Sequence, residues 1–314
     1  MTQEPISFFN QKIKLEGTLY KPEGEPPHPA IVVVHPASGG ERTDPFYDHL
    51  RSELPRHGMA VLLFDRRGTG SSEGNPQTAD FHDLAGDVIA AVDRLASRRD
   101  IDPLRIGLHG TSQGAWIAPI AAARKREIAC LVAVSACGVP PAEQMDYGVA
   151  FHLRQEGFDS AVVNKVLELR GLVNDYFRGN VSRDRVATEL SRYESEPWFE
   201  RGYLYSSHDL PVDPVKSLWH HQMDYEPLSI WKQVTQPTLF LFGEIDEWVP
   251  LEASMRNYRS ATARLQDVTL KQIKGTNHLM SVSGDENVLE ISPDYLSVLR
   301  EWLTSRLRRD FSRR

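Results

Sequence analysis

Gly110-Thr111-Ser112-Gln113-Gly114 sets a serine between two glycines, each two residues away. Arg105–His109 before it has the character of a short strand, and Ala115–Ala123 after it is rich in small and apolar helix formers. A serine at a sharp strand-to-helix turn has its hydroxyl pushed out beyond the sheet, and flanking glycines let neighbouring chains pass closely. The helix start also aims backbone N–H groups at developing negative charge. Such a placement suits a nucleophile, and the chemistry it predicts is acyl transfer.

A serine hydroxyl is a poor nucleophile until a histidine takes its proton. The chain has 11 histidines. His35 and His109 fall in or at the ends of strands near the serine, and His152, His208, His220 and His221 lie within residues 139–233. His28, His49, His57 and His82 fall in loops or helices of the first third. His278 alone follows a late strand, in Lys274-Gly275-Thr276-Asn277-His278, with Gly275 to turn the chain. The orienting acid is sought after a strand as well. Leu241-Phe242-Gly243-Glu244-Ile245-Asp246-Glu247 offers three carboxylates, of which Asp246, just past the strand, is the choice. Glu244 and Glu247 are assigned to solvent or to clamping the loop. The segment Ser135-Ala136-Cys137-Gly138, another place for an acid, holds no carboxylate.

A tetrahedral intermediate carries an oxyanion that needs two donors. The N–H of Gln113, next to the serine, is one candidate. The other is sought in His35-Pro36-Ala37-Ser38-Gly39-Gly40, where the N–H of Ala37 is preferred and Ser38 is the alternative; Pro36 has no N–H to give.

These groups need elements to hold them. Residues 6–21 alternate as a hairpin, and residues 30–34, 59–64, 105–109, 128–136, 238–242 and 268–273 read as strands, mostly as continuous apolar runs. Helical patterns fall at 45–57, 80–98 and 292–309. Alternating strands and helices predict an α/β fold with a mostly parallel central sheet flanked by helices, and ligands in such sheets bind beyond the carboxyl ends of the strands. One segment breaks the alternation. Residues 139–233 show helical patterns at 141–156, 159–177 and 183–194 and then an aromatic-rich stretch, and roughly 95 residues is too long for a loop. The expected organisation is therefore a core of residues 1–138 and 234–314 with a helical cap inserted at 139–233.

Composition bounds the rest. The 314 residues are 40% hydrophobic and 25% charged, as in a globular protein, and the net charge of −7 argues against nucleic acid as a partner. No apolar run reaches the length of about 18 residues expected of a membrane span. The first residues show neither a basic nor an apolar signal region, so a cytoplasmic location is expected. Cys130 and Cys137 are read as free buried thiols. No metal-ligand spacing is recognised, and adjacent His220 and His221 are read as a packing pair rather than ligands. The tail 306–314 is locally basic, as suits the end of a last helix.

Taken together, Gly110–Gly114, the stretch Asp65-Arg66-Arg67-Gly68-Thr69-Gly70-Ser71-Ser72 and the acid loop Gly243-Glu244-Ile245-Asp246 with Val249-Pro250 resemble the α/β-hydrolase superfamily. Gly114–Pro119, Cys137–Gln144 and Asp224–Leu228 are similar to its lid-bearing bacterial carboxylesterases, relatives of dienelactone-hydrolase-like enzymes and of prolyl-oligopeptidase-type catalytic domains. The order Ser112, Asp246, His278 is the one expected of that family's triad. The resemblance implies a serine esterase acting on a small-molecule ester without cofactor or metal, with a homo-oligomer left open. A thioesterase, an acyltransferase or a small-peptide hydrolase would use the same triad, and a ligand-binding member of the fold would keep it without turnover. His35-Pro36 departs from the His-Gly that many members carry. The resemblance also suggests that Arg67 braces its loop by hydrogen bonds, and it leaves Arg66 without an assigned role.

Overall fold

The computed structural model describes residues 1–284 and 288–308. Strands β1 (Thr2–Asn10) and β2 (Ile13–Lys21) form the hairpin, followed by β3 (His28–Val34), β4 (Ala60–Phe64), β5 (Ile101–Thr111), β6 (Leu131–Val134), β7 (Thr238–Gly243) and β8 (Val268–Ile273). They make one eight-stranded sheet in the order β1-β2-β4-β3-β5-β6-β7-β8, antiparallel from β1 to β4 and parallel from there to β8.

Period-two geometry explains the apolar runs. Ala30, Val32 and Val34 of β3 face one core, with helices α2 (Phe81–Ala96) and α3 (Gly114–Arg124); Ile31 and Val33 face the other, with α1 (Asp48–Arg56) and α9 (Pro293–Leu307). Each fully buried branched side chain contributes about 1.5–3 kcal/mol, so a polar residue on either face would forfeit a layer. Helix α2 starts on a capping box in which the Asp80 side chain accepts from Asp83 N–H and Asp83 accepts from Asp80 N–H.

Register places the site. Val34 of β3 pairs with Gly110 of β5, Gly110 with Ala133 of β6, and Ala133 with Phe240 of β7, so the loops after β3, β5 and β7 leave along one edge. The chain order reverses beside β3, with β4 on one side and β5 on the other, which is where such sheets open a crevice.

Between β6 and β7 lie α4 (Pro141–Gln155), α5 (Ser160–Phe177), α6 (Arg183–Leu190) and the short α7 (Leu218–Gln222). They share an apolar core of their own, including Val149, Leu153, Val163, Val166, Leu169 and Phe177. Three elements differ from expectation. Helix α8 (Leu251–Ala261), between β7 and β8, has no counterpart in the pattern reading; only Ser254 and Tyr258 on it are fully buried, and Leu251 and Met255 pack on the core in part. The strand expected at 128–136 is shorter, ending before Ser135, whose φ of 49° turns the chain. The helix expected to run to 309 is seen to Leu307, and residues 309–314 of the basic tail lie outside the described residues.

Candidate active site

Ser112 stands between the end of β5 at Thr111 and the start of α3 at Gly114, with φ of 54°. A non-glycine residue in that region stores about 1–3 kcal/mol of strain, which the surroundings must hold. They do so through bonds on both sides: Ser112 N–H donates to Val134 O at 2.9 Å, and Ala115 N–H donates to Ser112 O at 2.8 Å. The two glycines are there for space. A Cβ on Gly110 would come within 2.3 Å of Gly114 O, and one on Gly114 within 2.2 Å of Val34 O.

Asp246 leaves the end of β7 in a tight turn. Its Oδ1 accepts from the N–H groups of Trp248 and Val249, both at 2.9 Å, and the carboxylate receives Nδ1 of His278 at 2.9 and 3.0 Å. A carboxylate only accepts, so Nδ1 carries the proton and Nε2 is the free base. His278 is buried. Burial pulls its pKa down, but the charge and hydrogen bond of Asp246 together with the charge of Glu247 outweigh this, and the pKa sits above the ordinary 6.5. The histidine loop is pinned at three further points: His278 N–H donates to Glu247 Oε2 at 3.1 Å, Ser135 Oγ–H donates to His278 O at 2.6 Å, and Gly275 N–H donates to Glu244 Oε2 at 2.8 Å.

Ser112 and His278 line one cavity of about 500 Å³, with Ala37, Ser38 and Gln113 in the same wall. The cavity thus gathers the serine, the histidine and every residue considered as an oxyanion donor. Phe81, Trp116, Trp248 and Leu279 complete it from the core, and Pro141, Gln144, Met145, Tyr203, Trp219 and Gln222 from the inserted segment.

The rival histidines near the serine are held as neutral scaffold. His35 bridges Tyr47 OH and Phe64 O, each at 2.5 Å, and burial takes its pKa down to about 4. His109 meets Tyr295 OH at 2.9 Å and burial lowers it to about 3. His220 Nδ1 bonds Phe177 O at 2.6 Å and Asp224 pairs with Arg178, and among the described residues no cluster of three His, Cys, Asp or Glu side chains could hold a metal. Cys130 and Cys137 are free and buried, which pushes each thiol up to about 12.

One supporting residue escapes pattern reading, while Arg67 makes the hydrogen bonds that the resemblance implies. Ser135 is a small polar residue at a strand end, with no signal that it would hold the histidine loop. Arg67 lies in a buried pair with Asp87, its Nε and Nη2 both at 2.6 Å, while Arg66 turns toward Pro36 and Gln113.

A sequence model of the alpha/beta hydrolase family matches residues 31–291, most of the chain, and the chain belongs to that family. It is similar to the quorum-quenching protein AidA of Acinetobacter baumannii, 32% identical over 130 residues, covering 40% of this chain and 41% of AidA. It is similar along nearly its whole length to esterase EstD of Thermotoga maritima, 25% identical over 311 residues, covering 96% of this chain and 64% of EstD. The chain thus spans less than two thirds of the length of either relative. An esterase of Pyrococcus furiosus shares the fold with a TM-score of 0.63 at 18% identity, covering 98% of this chain and 92% of that one. Among the described residues no helix is long and apolar enough to cross a membrane.

Proposed function

We propose that this chain is a serine hydrolase that cleaves carboxylic esters, with Ser112 as nucleophile, His278 as general base and acid, and Asp246 as the orienting carboxylate. The observation that carries the reading is that His278, paired with Asp246 at 2.9 Å, lines the same cavity as a strained Ser112. Ser112 Oγ attacks the ester carbonyl carbon while His278 Nε2 takes its proton. The oxyanion forms against the N–H groups of Ala37 and Gln113. Collapse expels the alkoxide, which leaves as the alcohol with the proton from His278. Water, activated by the same nitrogen, then attacks the acyl-enzyme, and the acid leaves with Ser112 restored. Asp246 keeps the imidazole in one tautomer and stabilises the imidazolium. Residues 139–233 act as a cap whose aromatic side chains wall the apolar part of the substrate.

A series of nitrophenyl esters from acetate to decanoate tests this. The wild-type protein should turn them over and be labelled on Ser112 by a fluorophosphonate, and Ser112→Ala should lose about 10⁶-fold in kcat. No turnover, or turnover that survives Ser112→Ala, would overturn the assignment. Thioester and aminoacyl-anilide leaving groups run alongside separate an esterase from a thioesterase or peptidase.

A further inference from the structure

We propose that Arg66 is a positioning residue for the oxyanion hole, tying the loop after β3 to the residue that follows the nucleophile. The inference rests on the serine-hydrolase reading above and adds a residue to it.

Arg66 comes two residues after β4 and touches both halves of the candidate hole. Its backbone N–H donates to Gly40 O at 2.7 Å. Its side chain donates from Nη1 to Pro36 O at 3.0 Å and from Nη2 to Gln113 Oε1 at 2.6 Å. The first side-chain bond is the telling one, because Pro36 C=O and Ala37 N–H belong to the same peptide unit. That unit is planar and trans, so its oxygen and its hydrogen point in opposite directions. A guanidinium gripping the oxygen from behind fixes the direction of the Ala37 N–H on the far side. It also polarises the peptide, which strengthens the N–H as a donor. The second bond anchors the side chain of Gln113, whose backbone N–H is the other donor. A planar fork reaches two acceptors at once, which an ammonium on a flexible stem does poorly.

Arg66 does not serve as a clamp for a substrate carboxylate. It borders a separate void of about 20 Å³, whereas Pro36, Ala37 and Gln113 border the large cavity. Its side-chain partners are a carbonyl and an amide rather than a carboxylate, and Asp87, the carboxylate that acts on it electrostatically, is paired with Arg67, so no ion pair of its own holds its charge behind the place where negative charge develops.

The test compares wild type with Arg66→Met, Arg66→Lys and Gln113→Leu. Each is measured for kcat and KM on nitrophenyl acetate and for inhibition by a trifluoromethyl ketone and by the matching methyl ketone. The trifluoromethyl ketone adds to the serine and presents an oxyanion; the methyl ketone reports binding without one. Arg66→Met is expected to lose about 10²-fold in kcat, the scale of a misplaced catalytic group, with KM nearly unchanged. Its preference for the trifluoromethyl ketone should fall by a similar factor. Arg66→Lys should recover part of both losses, and Gln113→Leu should lose about 10-fold, since it removes one tie and keeps the backbone N–H. A bracing role alone would lower the folded fraction and leave the ketone preference where it was. Folded variants whose kcat and ketone preference stay within about twofold of wild type overturn the proposal, twofold being under 0.5 kcal/mol. If Arg66→Met does not fold, Arg66→Lys and Gln113→Leu decide on the same criteria. A wild-type protein that neither turns over ester nor is labelled on Ser112 overturns the serine-hydrolase reading and this proposal with it. An active, labelled wild type with insensitive variants overturns this proposal alone.

Discussion

The two walls of the cavity are built on different physics. On the core side, directional bonds dominate. Asp246 is fixed by two backbone N–H groups and the imidazole, and the His278 loop by Glu247, Ser135 and Glu244. On the inserted side, Met145, Tyr203 and Trp219 project from helices and turns whose own core is apolar. Hydrogen bonds hold atoms to a few tenths of an ångström, as the timing of proton transfer demands. Apolar packing tolerates a wider range of side-chain shapes. Changes on the core side should therefore register in kcat, and changes on the inserted side in stability and KM.

Asp246→Asn presses hardest on that contrast. The substitution keeps shape and the two turn N–H bonds but offers an N–H where the imidazole needs an acceptor. The ring then favours the tautomer with its proton on Nε2, facing the serine. The expected loss is about 10⁴-fold in kcat with little change in melting temperature. Steady-state kinetics beside thermal unfolding decide it, and a variant that mainly unfolds would mean that the pair is scaffold rather than machinery.

The two walls meet at Trp248, two residues beyond Asp246. Its indole lies 4.9 Å from the His152 ring and 6.0 Å from the Tyr203 ring, centroid to centroid, and close to Gly148 of α4. A Cβ on Gly148 would come within 2.2 Å of the indole. Gly148→Ala should therefore cost about 1–3 kcal/mol, as overpacking does, read as a lower denaturation midpoint. Its kcat should move far less than that of Asp246→Asn. A kcat loss rivalling Asp246→Asn would show that the inserted helices set the geometry of the acid loop and that the two walls are one device.

The same contrast governs what is legible in the sequence. The strands are legible because burial on both faces turns Ala30–Val34 and Ala60–Phe64 into unbroken apolar runs. The serine turn is legible because two close backbone approaches leave only glycine at positions 110 and 114. Asp246 and His278 stand out by following late strands, and the fold brings them to 2.9 Å. Arg66 has no such signal. Its contacts depend on which way the Pro36 carbonyl turns, and a peptide orientation leaves no trace in residue type. Helix α8 is less legible for a different reason, since of its core-facing residues only Ser254 and Tyr258 are fully buried, while Leu251 and Met255 pack there in part. Nor does the spacing of Tyr203 and Trp219 reveal that they share a cavity with Ser112.

The smallest expected effect lies at Glu247, and its sign is fixed by the environment of His278. Burial lowers the histidine's pKa, while Asp246 and then Glu247 raise it to a net value above 6.5. The imidazole acts as a base only when neutral, so kcat/KM should climb with pH along a limb whose midpoint lies above 6.5. Glu247→Gln removes one of the raising charges and keeps a carbonyl oxygen to accept the His278 N–H that now donates to Glu247 at 3.1 Å. The limb should move to lower pH, and only slightly, because Glu247 is half-buried and partly screened by solvent. The shift should shrink as salt is added, and Gly148→Ala should leave the limb where it is. A limb that stays fixed in Glu247→Gln, or moves to higher pH, would mean that Glu247 acts on His278 through the loop's backbone and not through its charge.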